Sequence, residues 1–171
     1  MKNIIFVFLL IFEHLWALDV GEKLTDITLS KENGGYLNGE PWSASDMNAK
    51  ANIIFYVDPD VKDLNDPFAR KLQSLNAVNK EFKVFVIINM DASWIPNALI
   101  QTVLKSKQKE FPQAIYVKDN KKTLVARWHL EDDNSDIVIV DSNGKVYFLH
   151  NGEMNDTLSQ KAISKINDIC R

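Results

Sequence analysis

A chain of 171 residues, 46 % apolar and with a formal charge of −3, has the composition of a folded domain. It excludes intrinsic disorder, and no segment carries the basic stripe of a nucleic-acid binder. One cysteine, Cys170, excludes an internal disulfide, so stability must come from packing.

Lys2 precedes an unbroken apolar run, Ile4 to Phe12, which Glu13 and His14 end, and Ala17 offers a small residue at a cut. The run falls short of the ~20 residues that span a bilayer, and the pattern is that of a signal peptide. Residues 1–17 are expected to be removed near Ala17 on export to the periplasm, leaving residues 18–171 as a single domain with no membrane attachment. An uncleaved anchor is the alternative.

Residues 18–50 are polar and turn-rich. Gly34-Gly35 and Asn38-Gly39 read as turns, with Tyr36 and Leu37 between them as a short pairing segment. Trp42 follows a proline and is expected at the domain's edge. Asn52 to Val57 is a short apolar run that reads as a buried strand. A helix follows, capped by Asn65 or Asp66, with Pro67 at its first position and Phe68, Leu72, Leu75 and Val78 on its apolar face.

Lys83 to Asn89 is a second buried strand. Pro96 opens a second helix with Leu99, Val103 and Leu104 facing inward. Gln113 to Val117 is a short strand, and Asp119-Asn120 turns the chain into a short element over Thr123 to Trp128. Ile137 to Val140 and Lys145 to Leu149 flank Asp-Ser-Asn-Gly, a hairpin whose Asn143-Gly144 supplies positive φ. The last helix starts near Thr157, where Thr157 and Gln160 match a capping box, and buries Leu158, Ala162, Ile166 and Ile169. Two apolar strands joined by a helix make a right-handed parallel unit. The hairpin and final helix complete an α/β fold with a mixed central sheet and helices on both faces, the element order of a thioredoxin-like domain.

Particular residues carry a resemblance. Gly21-Glu22-Lys23 with Asp26 to Leu29, and the stretch from Ile137 to Met154, resemble the opening segment and closing hairpin of peroxiredoxin and TlpA-type proteins. The segments PWSASDMNAK, VIINMDASWIPN and ARWHLEDDNSDIVIVDSNGKV are similar to the YtfJ family of exported bacterial proteins. That resemblance implies a periplasmic thioredoxin-like fold. In its thiol-using relatives the reactive cysteine follows the first core strand, at a helix N-terminus that stabilises the thiolate. Here that stretch, Asp58 to Leu64, holds no Cys, Ser or Thr. The cis-proline of those enzymes falls at Ser135, or at Asp136 one residue on, where a trans bond is expected because cis costs a non-proline ~3 kcal/mol.

Three groups of side chains invite a functional reading. Asp58, Asp60, Asp63 and Asp66 place four carboxylates on one loop. Their spacing lacks the glycine and closing glutamate of a calcium loop, so helix capping is the plainer role. His129 lies beside Glu131, Asp132 and Asp133, but one histidine makes no zinc site, and His150 is the other histidine of the mature chain. Cys170 sits in a terminus expected to fray. No catalytic residue, metal or cofactor is expected. The expected function is redox-silent binding of a protein, peptide or small molecule at a surface formed by Asp58, Asp60, Asp63, Ser135 and Asp136. The alternatives are a non-thiol or metal-assisted enzyme using the acidic loop, and an envelope assembly component.

Overall fold

The computed structural model describes residues 18–171 apart from 77, 79 and 93–95 and the side chains of 97, 98 and 101. The expected signal peptide lies outside the described residues. The N-terminal part forms short strands β1 (Thr28–Leu29), β2 (Gly34–Tyr36) and β3 (Trp42–Ser43). Then come β4 (Ala51–Val57), α1 (Asp66–Asn76), β5 (Phe82–Asn89), α2 (Asn97–Glu110) and β6 (Ala114–Asp119). A short helix α3 (Thr123–Trp128), the hairpin β7 (Ser135–Asp141) and β8 (Val146–Asn151), and helix α4 (Asp156–Cys170) complete the chain.

The main sheet has the order β2-β6-β5-β4-β7-β8. β4, β5 and β6 run parallel, as their intervening helices require, while β7 pairs antiparallel with β4. The mixed α/β architecture expected from the sequence is thus present, with α1, α2 and α4 on one face and α3 on the other. Residue alternation along the strands divides the core accordingly. Ile53 and Phe55 pack with Phe68 and Leu72 of α1 and Ala162 and Ile166 of α4. Ile54, Tyr56, Phe85 and Ile87 face Trp42, Leu124 and Trp128.

Several local expectations change. Trp42 is fully buried, not marginal, because the β1–β3 ribbon lies over the sheet face opposite the three helices. Its ring meets Phe85 and Trp128 edge-on, at 6.4 and 6.2 Å between centroids. Gly34 and Gly35 form an edge strand rather than a turn, and a side chain on Gly34 would run into the Lys118 carbonyl of β6. In the hairpin only Gly144 has positive φ, +79°. Gly144 N–H donates to Asp141 O, and Asp141 Oδ1 accepts from Asn143 and Lys145, so a three-residue loop replaces the two-residue Asn-Gly turn.

α1 ends at Asn76, which leaves Val78 89 % exposed. In α2 the buried stripe is Ile100 and Leu104, four apart, so Leu99 points outward at 58 % exposure. Asn155 caps α4 by accepting from Leu158 N, which places Thr157 inside the helix instead of at its cap. The stripe Ala162, Ile166, Cys170 then continues to the last turn, so Cys170 is packed rather than frayed.

Candidate functional site

The loop after β4 is built by its carboxylates. Asp58 Oδ1 accepts from Asp60 N at 2.7 Å and caps the single 3₁₀ turn Pro59–Val61. Asp58 is buried, and burial raises its pKa, followed by repulsion from Asp60, Asp133 and Asp132, against the one backbone bond it accepts. Asp63 is exposed and pairs with Lys107 and Lys62, each at 2.8 Å, which hold its carboxyl below the usual range. Lys107 also grips Asp66, at 2.6 Å, tying α2 to the start of α1. Burial opposes the Lys107 charge, but hydrogen bonds to Asp63 and Asp66 outweigh it and keep the ammonium above its ordinary range.

Asn65, expected as a helix cap, does something else. Its Nδ2 donates to Ser135 Oγ at 2.9 Å and to Gly152 O at 3.0 Å, and its Oδ1 accepts from Met154 N at 2.8 Å. It therefore joins the loop to β7 and to the segment before α4. Ser135 is buried, and the described peptide bonds, its own included, are trans.

Behind this junction a cavity of about 330 Å³ runs between α1 and α2. Its floor is the sheet: Phe55, Val57, Val84, Val86, Ile88 and Tyr116. Ala69 and Leu72 of α1 form one wall, Ile100, Val103 and Leu104 of α2 the other, and Asp60, Asp66, Lys107 and Ser135 lie at its margin. The cavity separates the cluster under α1 and α4 from the smaller cluster of Ile88, Ile100, Leu104 and Tyr116. Val86 stands mid-strand in β5, where it packs against both clusters yet remains only partly buried and lines the cavity. A pocket of this size with an apolar lining and few polar groups has the character of a small-molecule site.

Of the surface expected from sequence, Asp60 and Ser135 line this cavity, whereas Asp58 and Asp63 do not. Asp136 emerges on the opposite sheet face, facing the Tyr56 side, because consecutive strand residues alternate. It is fully buried with Oδ2 accepting from Glu131 N at 2.7 Å and Oδ1 without a partner among the described residues. Burial, chiefly, raises its pKa to about 7 despite that bond, and the Glu131 charge adds to the rise. A folded pKa above the unfolded value favours the protonated folded state, so this group's stabilisation is complete below about pH 4 and is lost as pH rises through 7. Asp136→Asn should flatten the fall in urea stability between pH 5 and 8 by on the order of 2 kcal/mol. An unchanged pH profile in the variant would assign the dependence elsewhere.

The remaining candidates stand apart. His129 is exposed, and the His150 ring bonds Glu153 O at 3.1 Å. Lys122 pairs with Asp132 at 2.7 Å, and Asn89 Nδ2 donates to the same aspartate. Among the described residues no cluster of three or more His, Cys, Asp or Glu is arranged to hold a metal ion. Cys170 lies against Ala51, at the opposite end of β4 from the Asp58 loop, seven residues or roughly 20 Å away. Burial raises its thiol pKa, and the nearby Glu81 charge raises it further. Native protein should react with iodoacetamide at least 10-fold more slowly than urea-unfolded protein at pH 8, with mass spectrometry as the readout. Equal rates would show that the helix end opens readily.

Residues 15–169 match the family described as "Bacterial protein of unknown function (YtfJ_HI0045)". The chain belongs to the YtfJ family. An uncharacterized protein of Haemophilus influenzae is 22 % identical over 166 residues, covering 91 % of this chain and 90 % of its own. The Escherichia coli protein YtfJ is 20 % identical over 133 residues, 75 % of this chain and 70 % of its own. Among solved structures, the thioredoxin domain of a thiol-disulfide oxidoreductase from Bacteroides vulgatus superposes with a TM-score of 0.62 at 15 % identity. It covers 86 % of this chain and 98 % of that one. The YtfJ chain therefore has a thioredoxin-like fold, with its one thiol remote from the loop after the first parallel strand.

Proposed function

We propose that this YtfJ-family protein is exported to the periplasm and acts there as a thiol-independent binding protein, holding a small molecule in the cavity between α1 and α2. The observation that carries this reading is the open floor at Val86. Among the described residues, an apolar residue at the centre of the sheet keeps part of its surface open to the cavity, while Phe55, Phe68 and Leu72 beside it are buried. Apolar surface kept from its own core costs ~25 cal/mol per Å², and a ligand of matching character recovers that energy. Asp60 and Ser135, two residues of the surface expected from the sequence, line the cavity. The apolar N-terminal run supports export, and the placement of Cys170 supports a role without electron exchange.

The test is fluorescence of the apolar dye N-phenyl-1-naphthylamine with purified residues 18–171. Saturable binding is expected, and Val86→Trp, which fills the floor, should weaken it at least 10-fold while circular dichroism stays unchanged. Insulin reduction and peroxide consumption should show no turnover. Dye binding that ignores Val86→Trp, or turnover abolished by alkylating Cys170, would overturn the proposal.

A further inference from the structure

The cavity's polar groups define a ligand class more narrowly than its apolar walls do. We infer that it takes an elongated, uncharged molecule, apolar along its length, with a hydrogen-bond acceptor such as an amide or ester carbonyl at the Ser135 end. This inference rests on the proposed binding function and specifies its ligand.

The charge requirement follows from the margin. Lys107 is held by Asp63 and Asp66, Lys62 by Asp63, and Asp66 also by Arg70. Asp60 is engaged as well. A charged head group finds no uncompensated partner there and would have to break an existing pair while losing its own hydration. An uncharged ligand has neither cost.

Two hydroxyls set the ends. Ser135, at β7, accepts from Asn65 through Oγ, and among the described residues its own proton goes to no acceptor. Tyr116, on β6, is a buried residue that lines the cavity. The order β6-β5-β4-β7 puts three strand spacings between them, about 14 Å across the sheet, and the register adds two residues along it, so about 16 Å or about a dozen bonds of extended chain separate them. Between them the floor presents Val57, Phe55 and Val86, with no polar side chain. A buried donor without an acceptor costs ~1–3 kcal/mol, which a carbonyl at the Ser135 end recovers.

The experiment is displacement of N-phenyl-1-naphthylamine by three matched probes: decanamide, decanoate and decyltrimethylammonium. Decanamide should displace the dye at a concentration at least 10-fold lower than either ion. Ser135→Ala should weaken decanamide about 5-fold more than it weakens the dye, the value of one hydrogen bond. Displacement by decanoate or by the ammonium at equal or lower concentration would overturn the charge argument. Equal effects of Ser135→Ala on decanamide and dye would overturn the assignment of that end. Either result leaves dye binding and its sensitivity to Val86→Trp intact, so it is distinguishable from failure of the site itself.

Discussion

Replacing Asp119 by alanine should lower the stability of the protein by about 4 kcal/mol, read from urea unfolding followed by tryptophan fluorescence. Asp119 ends β6 and is fully buried. One carboxylate oxygen accepts from Thr123 N at 2.9 Å and Lys121 N at 3.3 Å. The other accepts from Leu124 N at 2.8 Å and from the Tyr56 hydroxyl at 3.3 Å. Alanine removes all four acceptor contacts and strands two buried donors, the Leu124 N–H and the Tyr56 hydroxyl, each at a cost of ~1–3 kcal/mol, with a smaller loss from the part-buried Thr123 and Lys121 amides. The damage spreads through α3, because the bonds to Thr123 and Leu124 fix the first turn of the helix that carries Trp128 onto Trp42. Asp119→Asn keeps one oxygen and turns an amide toward the other donors, so roughly half the loss is expected. A loss below 1 kcal/mol for alanine would mean that solvent reaches these amides.

Asp119 also shows what the sequence could and could not give. The Asp-Asn pair reads as a turn after the strand, and the chain does turn at Asn120, with Asp119 still the last residue of β6. That the same carboxylate reaches a tyrosine 63 positions away depends on β4 and β6 flanking β5, which no local pattern contains. The parallel strands were legible because a strand covered on both faces is a continuous apolar run. For the same reason Val86 was indistinguishable from its neighbours. The gap above it is set by where α2 lies, and α2 is positioned by Lys107 bridging to Asp63 and Asp66. Ser135 and Asp136 are a different case. Strand alternation alone sends them to opposite faces, so the sequence itself already separates the two. Trp42 reads as an edge residue because β1 and β3, two residues each, are too short to announce the ribbon that carries it inward.

Asn65→Ala should cost about 3 kcal/mol and, unlike Asp119→Ala, should also impair the cavity. Its amide makes three bonds to groups 70 to 89 positions away, at Ser135 Oγ, Gly152 O and Met154 N. Alanine leaves the Met154 N–H and the Gly152 carbonyl without these partners, and the side chain's own gap adds to the loss. Asn65→Asp separates the contributions. It keeps the acceptor for Met154 N but replaces the amide donor with a carboxylate oxygen facing Ser135 Oγ and Gly152 O. The Ser135 hydroxyl can rotate to donate to that oxygen, whereas the Gly152 carbonyl cannot. The aspartate variant should therefore fold with an intermediate loss and withdraw the Ser135 proton from the cavity. Decanamide affinity should then fall about 5-fold more than dye affinity, as in Ser135→Ala. If Asn65→Asp retained full decanamide affinity, Ser135 would not be the donor that reads the ligand, whatever the stability loss.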